Sequence, residues 1–84
     1  MEVWELEAEA WRRDHIRVVI RAARNVVVGD YAGQNAAQGT MRVSQYRDRI
    51  SQHLNGLELS VIDGHGSEPV GQTQLNTVRA SYDR

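Results

Sequence analysis

The sequence of 84 residues contains no cysteine, no lysine and no phenylalanine. Without cysteine the chain has no disulfide bridges and no thiolate metal ligands, and nothing in it favours an oxidising compartment. No apolar run approaches the roughly 18 residues that a membrane-spanning helix requires. The N-terminal segment is acidic where a secretory signal would be basic, so we expect a cytoplasmic protein without a membrane partner.

The lack of phenylalanine restricts what the hydrophobic core can contain. Two tryptophans and three tyrosines are the only aromatic residues, so the core must consist mainly of Val, Ile, Leu and Ala. A chain of this mass buries roughly 60–65% of its unfolded surface, which suffices for a single small domain over residues 1–84. Small cores are often completed by association, so a second copy of the chain, as a homodimer, is one expected partner.

The machinery of common enzyme classes is also missing. No serine lies in a Gly-x-Ser-x-Gly turn, no thiol nucleophile exists, and a phosphate-binding loop that ends in lysine is excluded. Asp63, His65 and Glu68 lie within one short glycine-containing loop, but their spacing matches no established metal site, and Asp-Gly is typical of turns. The sequence therefore predicts a protein that is not an enzyme and holds neither a metal nor a cofactor.

What the chain does contain is arginine. Ten arginines are offset by eleven acidic residues, which leaves a formal net charge of -1. Residues 2–9 carry four glutamates, and five arginines follow within residues 12–24. Because the planar guanidinium group makes multi-donor contacts to carboxylates and phosphates, this pattern indicates an anion-recognising surface beside an acidic one.

The N-terminal third of the chain fits two structural interpretations. Apolar residues alternate with glutamates in residues 2–11, as in a half-buried strand, yet Trp4, Ala8 and Trp11 also share one helical face. Half of residues 15–28 are Val or Ile, which favours a strand. We therefore predict that residues 2–11 and 15–28 form an antiparallel hairpin. In the alternative, residues 2–28 form two helices and the protein is mainly α.

The remainder has clearer signals. The clearest helix extends from about Met41 to Leu54, where apolar residues recur at helical spacing: Val43, Tyr46, Ile50 and Leu54. Residues 57–62 alternate as in a short strand, and residues 75–82 fit either a final helix or a closing strand. The predicted fold is therefore α+β, a small antiparallel sheet packed by one central helix.

We predict a non-enzymatic protein-binding module, such as a small adaptor, an inhibitor or a self-assembling subunit. Arg17 and Arg21 project the same way on a helix or a strand, so they would contact carboxylates together while aromatic residues supply buried area. The predicted contact residues are Arg13, Arg17, Arg21, Arg24, Trp4, Trp11 and Tyr31.

Nucleic acid is the alternative partner. In that interpretation, phosphates would be contacted by the four arginines at positions 13, 17, 21 and 24. The sequence pI of about 6.3 disfavours it, because duplex binding usually requires a strongly basic domain. Stacking platforms are scarce as well, since no aromatic residue lies among residues 12–30.

Overall fold

The computed structural model describes residues 1–31 and 35–82. Within these residues the chain forms three helices and two strands: α1 (Val3–Asp14), β1 (Arg17–Ile20), α2 (Val43–Ser51), β2 (Leu59–Ile62) and α3 (Leu75–Tyr82). The two strands pair antiparallel, α1 packs against β1, and α2 packs against β2. The α+β class with a helix packed on a small antiparallel sheet is confirmed.

The predicted hairpin between residues 2–11 and 15–28 is wrong, because the first segment is helix α1. Glutamate, leucine and alanine are good helix formers, and the Glu5 carboxylate accepts the Glu2 backbone N–H at 2.9 Å, which caps the helix start. Burial follows the helical period, since Val3, Leu6 and Ala10 face the core. The two-helix alternative was right for this segment only.

A strand in the second segment is confirmed only over its first part, β1. The helix before it ends at His15, whose φ of 55° reverses the chain direction. Strand β1 then pairs with β2 instead of with α1, in a register that sets Arg17 opposite Ile62 and Ile20 opposite Leu59. Val18 and Ile20 face the core, whereas Arg17 and Val19 are exposed.

The later elements agree with the sequence patterns. Helix α2 lies inside the predicted range 41–54, strand β2 inside 57–62, and the final segment is a helix, not a strand. Tyr46, Ile50 and Leu54 are fully buried at helical spacing and form the centre of the core. No helix in the described part of the chain has the length and apolar character of a membrane span, and the longest, α1, has 12 residues.

Candidate protein-binding groove

A groove of about 550 Å³ lies between helix α1 and strand β1. Helix α1 contributes one wall, β1 contributes the other, and the segment after β1 closes one side: Trp4, Glu7, Ala8, Trp11, Arg17, Val18, Val19 and Arg24. We call this the α1–β1 groove. It brings together four of the seven predicted contact residues, the two tryptophans with Arg17 and Arg24.

The two tryptophans lie on one exposed face of α1. Trp4 is 43% exposed and Trp11 is 45% exposed. Seven positions are close to two helical turns, so both rings project in the same direction. The Trp11 ring meets Tyr82 edge-on, with 5.2 Å between ring centroids, and this contact holds it at the surface. The helix therefore presents two large aromatic rings side by side, which a strand would have put on opposite faces.

The two groove arginines, Arg17 and Arg24, are exposed and form no ion pair with an acidic side chain of the described residues. The Arg17 guanidinium lies over the Tyr82 ring at 5.9 Å from its centroid, and the Arg24 carbonyl accepts the Trp4 backbone N–H at 3.3 Å. In residues 1–31 and 35–82 no carboxylate lies within ion-pair distance of either side chain. Their positive charge is consequently available to a bound anion.

Arg21 lies elsewhere, although the sequence predicted that it projects with Arg17. Strand β1 ends at Ile20 and the chain bends at Arg21, whose N–H donates to the Glu58 carbonyl at 2.9 Å. Its side chain lines a separate polar depression between α2 and β2, together with Arg47 and three acidic side chains: Asp48, Glu58 and Glu68. The shared direction predicted for Arg17 and Arg21 therefore does not place them in one groove.

Arg13 is the second predicted arginine outside the groove. Its guanidinium contacts the Glu9 carboxylate at 2.9 Å, and its side chain is only 19% exposed. Arg12 contacts the same carboxylate at 2.5 Å, and this hydrogen bond holds the pKa of Glu9 below its ordinary value. Arg13 is thus paired with an acid of its own chain, outside the groove.

The acidic segment is a helix and not the predicted strand, and its carboxylates act within the protein. Besides Glu9, the Glu5 carboxylate caps the helix start at Glu2. The Glu7 carboxylate leaves α1 sideways and accepts the backbone N–H of Ile20 at 2.9 Å. No local pattern indicates that Glu7 reaches the strand, because the contact depends on how α1 packs beside β1.

Tyr31 is predicted to be a partner-contacting anchor, but the structure buries its side chain fully, away from the groove. Its hydroxyl donates to the Asp14 carboxylate at 2.6 Å, Tyr46 donates to the same oxygen at 2.7 Å, and the Ala37 N–H donates to the other oxygen at 2.9 Å. Burial, together with the neighbouring Asp14, raises the pKa of Tyr31 to about 12. This polar cluster fastens Tyr31 and Ala37, which belong to the connector between β1 and α2, to the end of α1.

The loop carrying Asp63, His65 and Glu68 has the geometry of a turn. The Asp63 carboxylate accepts the backbone N–H groups of His65 and Ser67 at 2.9 and 3.0 Å, which lowers the pKa of Asp63. Within the described ranges, no group of three or more histidine, aspartate and glutamate side chains is placed to hold a metal ion.

No protein-family model matches the chain, and no curated protein or solved structure is significantly similar to it.

Proposed function

We propose that the protein is a non-enzymatic protein-binding module that holds its partner in the α1–β1 groove. One observation carries this proposal. Two half-exposed tryptophans lie beside two exposed arginines, Arg17 and Arg24, that have no acidic partner in the described chain. Tryptophan and arginine are the residues that most often dominate the binding energy of protein interfaces.

The groove offers both kinds of contact that a protein partner needs. Trp4, Trp11 and Val19 are each more than 40% exposed, so a partner side chain that covers them removes a contiguous apolar surface from water. Arg17 and Arg24 add donors arranged for bidentate contact with carboxylates. Apolar area supplies affinity, and the guanidinium groups supply preference for an acidic partner.

The polar depression around Arg21 supports such a proposal less well. Arg21 and Arg47 share it with three carboxylates, and neither tryptophan reaches it. Its charges largely compensate one another, so it would attract an acidic partner weakly. The predicted contact surface is accordingly reduced to the groove, and Arg21 becomes an internal control.

Comparative affinity capture tests the proposal. We would immobilise the wild-type chain, the Arg17→Ala/Arg24→Ala variant and the Arg21→Ala variant, and quantify bound proteins by mass spectrometry. Each of the two variants removes exposed guanidinium groups, but only the double variant changes the groove. If Arg17 and Arg24 are central to the interface, they contribute together at least about 2 kcal/mol to the free energy of binding. The double variant should then bind its partner about 30-fold more weakly, and Arg21→Ala should bind normally. Equal capture by all three chains would contradict the proposal.

Nucleic acid competes as the partner, since Arg17 and Arg24 could also contact phosphates. Retention of the wild-type chain on DNA and RNA columns distinguishes a nucleic-acid partner from a protein partner. Retention that falls steeply between low and moderate salt would favour nucleic acid, because phosphate contacts release counterions. A chain that is not retained at low salt would leave a protein as the partner.

A further inference from the structure

We propose that the partner enters the α1–β1 groove as an extended acidic peptide segment and adds a strand to the free edge of β1. The free edge is the side of β1 that faces away from β2. This inference rests on the proposed function and specifies how the partner binds and what chemistry it carries.

The hydrogen-bond pattern of β1 defines which backbone groups reach the free edge. In an antiparallel pair, alternate residues direct both N–H and C=O toward the partner strand and the intervening residues direct both away. The Arg21 N–H donates to Glu58 of the neighbouring chain segment, so residues 17, 19 and 21 face β2. The Arg17 N–H accordingly donates to the Tyr82 hydroxyl, which in turn donates to the Ile62 carbonyl. The backbone N–H and C=O groups of Val18 and Ile20 therefore point to the free edge, whereas their side chains face the core.

The backbone of Val18 lies at that edge, in a residue that is only 4% exposed. The Ile20 N–H is taken by the Glu7 carboxylate at 2.9 Å, and the Ile20 carbonyl accepts the Ala22 N–H at 2.9 Å. Among the described residues, no side-chain or backbone group forms a hydrogen bond with the outward N–H or C=O of Val18. Val18 nevertheless lines the groove, and since its side chain faces the core, it is the backbone that meets the groove. An entering strand therefore reaches the donor and the acceptor of Val18 only after the Glu7 side chain has moved aside.

Glu7 occupies the place of the next acceptor. A carboxylate oxygen that receives an N–H from a strand edge lies where the carbonyl oxygen of an added strand would lie. Covering an edge in this way also protects it from indiscriminate pairing. An entering peptide would displace the Glu7 side chain into solvent, and a peptide carbonyl would accept the Ile20 N–H in its place. Glu7 is therefore a guard of the binding edge.

Charge selects an acidic peptide over a neutral or basic one. The groove holds two arginines, Arg17 and Arg24, and one acid, Glu7, which leaves the edge when the peptide binds. The Arg17 side chain also projects from the exposed face of the sheet. Every second side chain of an added strand would project from the same face. Acidic side chains at every second peptide position would meet the guanidinium groups, and apolar side chains would pack against Trp4 and Trp11.

Selection from a random peptide display library on the immobilised wild-type chain identifies the probes. We expect selected peptides to carry acidic residues at alternating positions, to lack proline in their centre, and to bind at least tenfold more weakly to the Arg17→Ala/Arg24→Ala variant than to Arg21→Ala. Basic peptides, or peptides insensitive to the double variant, would overturn the inference. If the peptide selection gives this result, the proposed function is still tested separately by the affinity-capture experiment.

An ester in place of the residue 18 amide, introduced by chemical synthesis, tests the strand pairing. It deletes the edge N–H and keeps the valine side chain, but it also makes the Arg17 carbonyl a weaker acceptor toward β2. The melting temperature should therefore fall only slightly, while the selected peptides bind about three- to tenfold more weakly. The same change at residue 19 removes an N–H that faces β2 and should lower the melting temperature. Peptides that require the groove arginines but tolerate the ester at residue 18 would leave the proposed function standing and overturn strand addition.

The Glu7→Ala variant tests the guard. It frees the Ile20 N–H and removes the groove's negative charge, so the same acidic peptides should bind several-fold more tightly, and weaker binding by a folded variant would contradict the guard role. Light scattering addresses the other occupant. A wild-type dimer that dissociates in the Arg17→Ala/Arg24→Ala variant would place a second copy of the chain in the groove and overturn the peptide.

Discussion

Replacing Asp14 tests the buried polar cluster that holds the connector to the core. The Asp14 side chain is fully buried, and its carboxylate accepts hydrogen bonds from Tyr31, Tyr46 and the Ala37 backbone. Asp14→Ala removes the acceptor of three buried donors, and each donor that finds no other acceptor costs about 1–3 kcal/mol. Relief from burying a carboxylate offsets part of this loss. We expect the free energy of unfolding to fall by about 3–5 kcal/mol, a large share of the roughly 4–13 kcal/mol typical for a chain of this length.

The Asp14→Asn variant separates hydrogen bonding from shape. The amide oxygen can still accept the Ala37 N–H, and the amide nitrogen can donate to a tyrosine hydroxyl oxygen. This variant should therefore lose only about 1–2 kcal/mol. Asp48→Ala removes an exposed carboxylate of α2 and should change stability by less than about 0.5 kcal/mol.

Urea unfolding followed by tryptophan fluorescence measures these differences. With an m value of about 1 kcal/mol/M, Asp14→Ala should lower the midpoint by about 3 M or unfold without denaturant. An Asp14→Ala chain within about 1 kcal/mol of wild type would refute the reasoning, and so would an Asp14→Asn chain as unstable as Asp14→Ala.

Two further predictions concern the tyrosines and one glycine. Burial raises the pKa of Tyr31 to about 12 and raises that of Tyr46 and Tyr82 as well, whereas an unfolded tyrosine ionises near about 10. The folded state thus binds these protons more tightly, so its stability is intact below about pH 10 and falls as the pH rises further. Ionisation of all three tyrosines with a midpoint at about pH 10, in a chain that is still folded, would contradict this. A Cβ atom added at Gly64 would lie 1.8 Å from the Ser81 carbonyl oxygen, so Gly64→Ala should lower stability by about 1–3 kcal/mol, and an unchanged melting temperature would show that α3 yields easily.

The sequence patterns predicted the elements whose periodicity was unambiguous. Tyr46, Ile50 and Leu54 recur only at helical spacing, and the structure buries all three. Residues 2–11 carry both a period of two and a helical stripe, so local pattern could not decide between strand and helix. The decision depends on tertiary packing, since Val3, Leu6 and Ala10 cover the core while β1 finds its partner in β2, beyond α2 in the chain.

The candidate site was predicted in part for the same reason. The spacing of Trp4 and Trp11 places both on one helical face, and Arg17 stays exposed on either a helix or a strand. Arg21 separates from Arg17 because β1 ends one residue earlier, a boundary that no pattern marks. Tyr31 stands in a polar segment whose composition favours exposure. Its burial depends on contacts distant in sequence, namely the hydrogen bond to Asp14 and the packing of His53 and Arg49 against its ring.

The most direct test of the α1–β1 groove is a nuclear magnetic resonance titration of the isotope-labelled chain with a library-selected acidic peptide. The two indole N–H signals, from Trp4 and Trp11, and the backbone signals of Val18 and Val19 report on the groove, and those of Arg21 and Arg47 report on the separate depression. The proposed function predicts shifts concentrated in the first set. Shifts concentrated at Arg21 and Arg47, with both indole signals unmoved, would contradict it.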